Sequence, residues 1–311
     1  MQNQQLKGTI YILIATVIWG SCFVAQSAST IGPFTYQGVR SVIGCLFLVV
    51  LSLVLDFFAK KKQDSVITKW TDKTLLVGGV VCGVVLFGAM NLQQFGLYFG
   101  TEPGKAGFIT AMYILLVPII GLFMKKTVRI NVWIGIAVAV VGLFLLCVNP
   151  DKGIAFQHGD IYVMLCAVVF SFHIVFVDYF APKVDGVKLS CLQFLVAGVI
   201  SCICMFVFEE PDVREIVDNT VPILYAGVGS SGIAYTLQIV GQKYSPPTIA
   251  SLAMSFESVF AVLSQIVVTF VVYLAGKGEL SLPTARELVG CAVMFLAIIL
   301  SQLPEKKKIN Q

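Results

Sequence analysis

A single acidic side chain, Glu257, lies deep inside one long apolar stretch of the sequence. About ten residues of that stretch precede it, which at 1.5 Å per helical residue is a depth of ~15 Å. A carboxylate at the centre of a bilayer costs at least ~2.5 kcal/mol, so such a residue is a functional candidate by default. Glu257 either carries a proton or pairs with a cationic ligand group, or it is a structural carboxylate that neighbouring helices hydrogen-bond or keep neutral.

Arg40 and His173 are two further ionisable residues inside apolar stretches. The guanidinium of Arg40 has the fork of donors that holds a carboxylate, although it equally suits snorkelling to the membrane surface or capping a neighbouring helix. Histidine titrates near neutral pH, so His173 is either a proton carrier or a buried histidine satisfied by a helix partner.

Six uncharged polar or aromatic side chains in the apolar stretches are also candidates: Trp19, Asn91, Gln94, Tyr113, Tyr235 and Gln238. Asn91 and Gln94 are three residues apart and share a helix face, as do Tyr235 and Gln238. The aromatic side chains are of the type that recognises rings and quaternary cations. Each residue either lines a polar cavity or makes an interhelical hydrogen bond or packing contact.

Composition indicates that lipid surrounds most of the chain. Of its 311 residues, 58% are hydrophobic and 12% are charged, and the mean hydropathy is +0.90. A soluble domain carries about 25% charged residues, so too few polar side chains are present to cover a globule in water. The scattered cysteines and two histidines form no ligand cluster, and no basic patch is interleaved with aromatics. We therefore expect a lipid bilayer as partner, and neither a metal, a cofactor nor nucleic acid.

Ten apolar runs predict ten transmembrane helices, because each has roughly the 17–25 residues that a tilted spanning helix needs. The predicted spans are Gly8–Ser27, Phe34–Phe58, Leu75–Phe99, Ala106–Met124, Ile130–Val148, Gly159–Tyr179, Leu189–Phe208, Val221–Val240, Thr248–Leu274 and Glu287–Leu303. The runs do not alternate in polarity, which favours helices over barrel strands. Pro118 should kink the fourth helix, and Gly79 and Gly83 should allow another helix to approach closely.

Lysine and arginine residues are distributed unevenly among the segments that join these runs. With the N-terminus inside, the cytoplasmic segments hold about three times as many as the external ones, including Lys60–Lys62 and Lys306–Lys308. The positive-inside rule then puts both termini in the cytoplasm, in a multi-pass protein of the cell membrane. The acidic segment Glu209–Asp218 is expected outside, as a solvated loop.

The two halves of the chain resemble each other. Gly8–Tyr11 matches Gly159–Tyr162, and each half holds five apolar runs. An odd number of spans per half puts the second half upside down relative to the first. In that arrangement a substrate site lies near the midplane, and rocking of the halves alternates its access. We expect an all-α membrane protein with a first five-helix repeat at 1–150 and an inverted second repeat at 151–311.

Short motifs lie in a fixed order along the chain, at 17–21, Arg40, 106–110, 117–118, 250–252 and 256–261. In this order and spacing they resemble the EamA-like class of the drug/metabolite transporter superfamily, over about residues 7–303. The resemblance implies two inverted five-helix repeats and movement of small metabolites, often amino acids or related compounds. Ser258 stands where the class usually has proline, which puts a second kink in doubt, and Phe170 stands at the repeat position of Trp19.

The sequence therefore predicts a secondary transporter that moves a small-molecule substrate by alternating access, as an exporter, with proton coupling left open. Import of a small cation or nutrient is the alternative. A membrane-embedded enzyme is a remote alternative, because the two histidines and the lack of clustered acids within the runs provide no nucleophile–base set.

Overall fold

The computed structural model describes residues 2–27, 29–62, 68–101, 103–148, 156–274 and 282–303. Lys306–Lys308, on which the predicted orientation partly depends, lies outside the described residues. Within the described ranges the chain is helical, with bounds α1 Gln2–Ser27, α2 Pro33–Lys62, α3 Lys73–Tyr98, α4 Pro103–Ala111, α5 Tyr113–Phe123, α6 Ile130–Cys147, α7 His158–Phe180, α8 Gly186–Phe208, α9 Val213–Asp218, α10 Thr220–Leu224, α11 Tyr235–Gln242, α12 Pro247–Met254, α13 Glu257–Leu274 and α14 Ala285–Gln302. A π-helix, Tyr225–Ala234, joins α10 to α11.

Nine helical segments of the described chain are long and apolar enough to cross a membrane. A tenth, Ile130–Leu146 in α6, is apolar but shorter. Its 17 residues correspond to about 26 Å, just under the ~30 Å of hydrocarbon in a typical bilayer. All ten predicted runs are therefore helical, and the all-α membrane class is confirmed.

The outward faces of the helices are apolar, as expected for contact with lipid. On α2, Leu46, Val50, Leu53 and Phe57 follow one another at helical spacing and are all about 60% exposed. A stripe of this kind would be a large apolar patch in water. In a bilayer it is the surface that contacts acyl chains.

Helices of one half pack on helices of the other. Each such pair has an equivalent pair in which the two halves have changed roles. The third span, α3, packs on the sixth, α7, and the eighth span packs in the same way on the first, α1. The second span packs on the seventh (α2 on α8) and the fifth packs on the tenth (α6 on α14). Such reciprocal pairing is what an inverted repeat with a pseudo-two-fold axis in the membrane plane produces.

The start of α1 and the end of α14 lie on the same side of the bundle. Gln5 Nε2 donates to Gln302 Oε1 at 2.8 Å, and Gln302 Nε2 donates to Thr9 Oγ1 at 3.1 Å. Two chain ends on one side require an even number of crossings. Ten crossings meet that requirement.

The fourth span is interrupted, although not at the predicted residue. The break lies at Met112, between α4 and α5, and α5 continues through Pro118. Around the break, the N–H of Met112 bonds to Ile109 O and the N–H of Leu115 bonds to Met112 O, which tightens the turn. Pro118 has no N–H to donate to the carbonyl of Ile114. The missing hydrogen bond therefore weakens the first turn of α5, and the helix continues past Pro118 itself.

The ninth span is interrupted as well, without a proline. Helix α12 ends at Met254 and α13 begins at Glu257. Ser255 Oγ donates to Leu252 O at 2.7 Å, so a side-chain hydroxyl bonds to a backbone carbonyl of the helix. Side-chain bonds of this kind compete with the backbone hydrogen bonds and disturb a helix. The replacement of proline by Ser258 therefore does not remove the break.

Gly79 and Gly83 lie where α3 meets α8, as expected for a close helix approach. A Cβ added at Gly83 would lie 2.6 Å from Val196 Cβ, which is closer than real side chains approach. This contact holds together spans from opposite halves.

Candidate functional site

One central cavity lies between the two halves, and six of the nine predicted site residues line it: Trp19, Arg40, Tyr113, Tyr235, Gln238 and Glu257. The rest of its wall is formed by Cys22, Phe23, Gln26, Met90, Gln93, Thr110, Phe170, Ile174, Ser230 and Met254. Its volume of about 50 Å³ is far below the ≈ 300–1,000 Å³ of typical ligand pockets. In this structure the cavity is therefore too small for a ligand of that size.

Glu257 lies at one side of the cavity and is 8% exposed. It is the first residue of α13, directly after the break in the ninth span. Tyr113, the first residue of α5 and directly after the break in the fourth span, donates its hydroxyl to Glu257 Oε1 at 3.4 Å. The two helix breaks therefore meet at the cavity, with one from each half.

A helix start carries partial positive charge, which stabilises a carboxylate in the first turn. Glu257 occupies this position in α13. Discontinuous helices of this kind form the binding sites of many transporter folds, because helix ends near the midplane can interact with charged groups.

Arg40 supplies the opposite charge. It is 3% exposed and donates to Ser230 Oγ at 2.7 Å and to Ser231 Oγ at 3.2 Å. Its guanidinium also lies 5.9 Å from the ring centre of Tyr36. Among the described residues, no carboxylate forms an ion pair with Arg40. The guanidinium is thus held by neutral hydroxyls, and its charge is not neutralised by a protein carboxylate.

The π-helix presents both serines to Arg40. A π-helix is rare, and such segments often lie at functional sites. Here Gly227 lets α2 approach, since a Cβ at that position would lie 3.1 Å from Arg40 O. The sequence analysis singled out Arg40 but neither of its serine partners.

Glu209 fixes the start of α2, the helix that carries Arg40. Its carboxylate accepts from Phe34 N at 2.9 Å, from Thr35 N at 2.8 Å and from Thr35 Oγ1 at 2.7 Å. These contacts satisfy donors that a helix N-terminus otherwise leaves unpaired. The segment Glu209–Asp218 was predicted to be a solvated loop. Instead its first residue is a structural cap, and Val213–Asp218 forms α9.

An aromatic cluster forms another wall. The rings of Trp19 and Tyr235 meet edge to face with centroids 5.0 Å apart, and Tyr235 contacts Phe194 in the same manner at 5.2 Å. Trp19 Nε1 is buried and has no hydrogen-bond partner in the described part of the chain.

Gln238 belongs to a short hydrogen-bonded chain. Its Nε2 donates to Gln242 Oε1 at 2.9 Å, and Gln242 Nε2 donates to Ile174 O at 2.9 Å. Gln238 Oε1 is likewise buried, and no described residue donates a hydrogen bond to it.

The other three predicted residues lie beside the cavity and do not line it. Asn91 donates to Ser201 Oγ at 3.1 Å, and His173 Nε2 lies 3.1 Å from Gln193 Oε1 with both side chains fully buried. Gln94 accepts from Gln26 Nε2 at 2.6 Å. The Gln26 side chain does line the cavity, although the sequence analysis did not name it. Its only signal was a polar amide near the end of an apolar run.

The described part of the chain contains no candidate metal site. There, no three histidine, cysteine or acidic side chains converge in an arrangement that could hold an ion. The described lining of the cavity comprises one carboxyl group, one guanidinium, amides, hydroxyls, aromatic rings and apolar or sulfur-containing side chains.

Interrupted helices from the two inverted halves meet around a buried carboxyl group and a buried guanidinium. This arrangement is typical of a polytopic membrane protein of the transporter class. The sequence profile of the EamA-like transporter family matches residues 6–148 and again 157–303. The chain therefore belongs to the EamA-like transporter family.

Comparisons with individual proteins agree with this assignment. An "Uncharacterized transporter" of Archaeoglobus fulgidus is 25% identical over 304 residues, which cover 96% of this chain and 87% of the relative. A protein of known crystal structure superposes with a TM-score of 0.71 at 20% identity, over 94% of this chain and 96% of the other. The structural likeness shows a shared fold.

Proposed function

We propose that this protein is a secondary transporter that exports a small metabolite, such as an amino acid or a related compound, across the cytoplasmic membrane by alternating access. The observation that carries the proposal is the cavity between the halves, in which Arg40 and Glu257 are the only charged residues among the described part of the lining. The family points to transport rather than catalysis. Import of a small cation or nutrient is the alternative, and Glu257 alone would favour it.

A zwitterion fits the charges of the cavity. The guanidinium of Arg40 lacks a protein carboxylate and matches the geometry of a substrate carboxylate. Glu257 has one hydroxyl contact, to Tyr113, and can pair with a substrate ammonium. A ligand with one charge of each sign leaves neither side chain unpaired in a low-dielectric site.

We also propose that both termini lie in the cytoplasm and that the repeats divide between residues 150 and 151. The meeting of Gln5 with Gln302 supports two ends on one side, and the uneven distribution of lysine and arginine favours the inside. The separate family matches to 6–148 and 157–303 support the division.

Alternating access requires the halves to move, because the cavity is too small for an amino acid in the conformation described. The Gln26–Gln94 hydrogen bond joins the C-terminal ends of α1 and α3, on the side opposite to the chain ends. In the proposed orientation this is the external side. We infer that the bond helps to close the external end of the cavity and must break when substrate leaves.

The experiment is a thermal-shift screen of the purified protein against amino acids, amines, nucleosides and small sugars, followed by flux in proteoliposomes with the hit. Glu257→Gln and Arg40→Ala should each reduce binding at least about tenfold, since each removes a charge-assisted contact worth ≈ 1.5–3 kcal/mol. Arg214→Ala and Glu215→Gln, both exposed on α9, are the matched controls. Full binding and transport by both cavity variants would refute the site.

Proton coupling is tested in the same vesicles with an imposed pH gradient. If Glu257 carries the coupled proton, the gradient alone should drive accumulation of the hit, and Glu257→Gln should abolish this response while exchange of substrate persists. Accumulation that ignores the gradient would refute coupling without refuting transport.

A further inference from the structure

Two atoms of the cavity wall, Trp19 Nε1 and Gln238 Oε1, are buried and have no hydrogen-bond partner among the residues that the structure describes. Trp19 is 9% exposed and Gln238 is 2% exposed. Buried polar atoms in native proteins are nearly always paired, so an unpaired atom needs a reason. Both side chains line the central cavity, where a ligand can supply the missing partners.

Each of the two atoms can act in only one role, as a hydrogen-bond donor or as an acceptor. An indole N–H only donates. The amide of Gln238 could be turned either way in principle, but its neighbours settle the choice. Gln242 must present Nε2 to the carbonyl of Ile174, so it presents Oε1 to Gln238. Gln238 therefore presents Nε2 to Gln242, and the atom left for the cavity is the acceptor Oε1.

Four of the polar groups that line the cavity are available to a ligand in this way. Arg40 and Glu257 offer one charge of each sign, and Trp19 and Gln238 offer one neutral donor and one neutral acceptor. A charged side chain on such a zwitterion would be a third charge without a counterion, because Arg40 and Glu257 are the charged residues among the described residues of the lining. An apolar group would leave both neutral atoms unpaired.

We propose that the substrate is an α-amino acid with a short, neutral, hydrogen-bonding side chain, a hydroxyl or a carboxamide. Its side-chain oxygen accepts from Trp19 Nε1, and its O–H or N–H donates to Gln238 Oε1. The inference rests on the proposed function, in which Arg40 and Glu257 hold the carboxylate and the ammonium. It adds the reason why a similar apolar amino acid is rejected: sites with committed polar atoms discriminate against analogues that cannot pair with them.

Matched pairs of amino acids test the inference in wild-type protein. Threonine and valine have nearly the same shape and differ in a hydroxyl; asparagine and leucine differ in a carboxamide. By titration of the purified full-length chain in lipid nanodiscs, threonine and asparagine should bind at least about tenfold more tightly than their apolar partners, as expected for two recovered hydrogen bonds.

The variant Trp19→Phe removes the donor and keeps an aromatic ring. It should weaken threonine binding about five- to tenfold more than it weakens valine binding, which erases most of the discrimination. Trp133→Phe, on α6 and outside the cavity lining, is the control and should preserve it.

Equal binding of threonine and valine by the wild type would overturn the inference and leave the proposed amino-acid transport standing. A Trp19→Phe variant that loses threonine and valine equally would also overturn it, since the indole would then act through packing. Failure of every amino acid to bind would overturn both the inference and the proposed function.

Discussion

Replacing Glu209 with alanine should destabilise the protein by about 1–3 kcal/mol, because three hydrogen bonds at the start of α2 depend on its carboxylate. Loss of a helix N-cap costs ≈ 0.5–2 kcal/mol, and loss of a negative charge at a helix start costs a further ≈ 0.3–1 kcal/mol. Glu209 is half-buried, so water replaces part of what is lost. Thermal unfolding in nanodiscs should show a decrease of roughly 2–5 °C in Tm.

Two companion variants make the test specific. Glu210→Ala removes the adjacent exposed carboxylate and should leave Tm unchanged. A Cβ at Gly32 would meet the carboxylate of Glu209, so Gly32→Ala should displace that side chain and reproduce much of its loss. In the double variant the two effects should not add, because both act on the same contacts. A Glu209→Ala variant as stable as Glu210→Ala, or full additivity with Gly32→Ala, would refute the capping role.

Two further predictions concern helix packing. Asp56→Ala should destabilise the protein by roughly 3 kcal/mol in the same assay. Lys188 is 2% exposed and pairs with Asp56 at 2.8 Å, so the variant would leave the buried ammonium of Lys188 without its counterion. An unchanged stability would mean that the backbone and aromatic contacts of Lys188 are sufficient. Gly83→Ala should cost about 1–3 kcal/mol by overpacking against Val196, whereas Gly88→Ala, with its nearest neighbour at 3.5 Å, should be neutral or slightly stabilising; equal effects would contradict the close approach.

Hydropathy was sufficient to predict the spans because bilayer thickness imposes a length on every crossing helix. Each of the ten predicted runs matches one helix or consecutive helical segments of the structure, with at most one residue beyond the end of the helix. Even α6, the shortest apolar segment, was recognised, since the apolar run is bounded by polar residues at both ends. Reciprocal packing of the halves then follows from their opposite orientation.

The positions of the helix breaks could not be predicted in the same way. Pro118 drew attention to the fourth span, but the break lies at Met112, and the ninth span breaks at Ser255 without a proline. The π-helix likewise has no proline and follows from small residues that pack against α2. Breaks depend on which carbonyls find other donors, and a hydropathy window averages over this detail.

Six of the nine candidate residues line one cavity, but residue spacing did not predict their hydrogen-bond partners. Helical spacing put Asn91 and Gln94 on one face, yet Asn91 bonds to Ser201 on α8 and Gln94 bonds to Gln26 on α1. A 60° difference in direction is enough to reach different neighbours in a packed bundle. Contacts between distant parts of the chain follow from the three-dimensional packing, which residue spacing alone does not encode.

Each charged residue of the cavity is held by the opposite half of the protein. Arg40, from the first half, donates to Ser230 and Ser231 of the second half, and Glu257, from the second half, accepts from Tyr113 of the first. A substrate that takes over these charges replaces contacts that hold the halves together, so its binding favours a different arrangement of the halves. We expect distances between spin labels on opposite halves to change when substrate is added, and the change to disappear in Arg40→Ala. Distances that do not respond to a bound substrate would contradict this coupling.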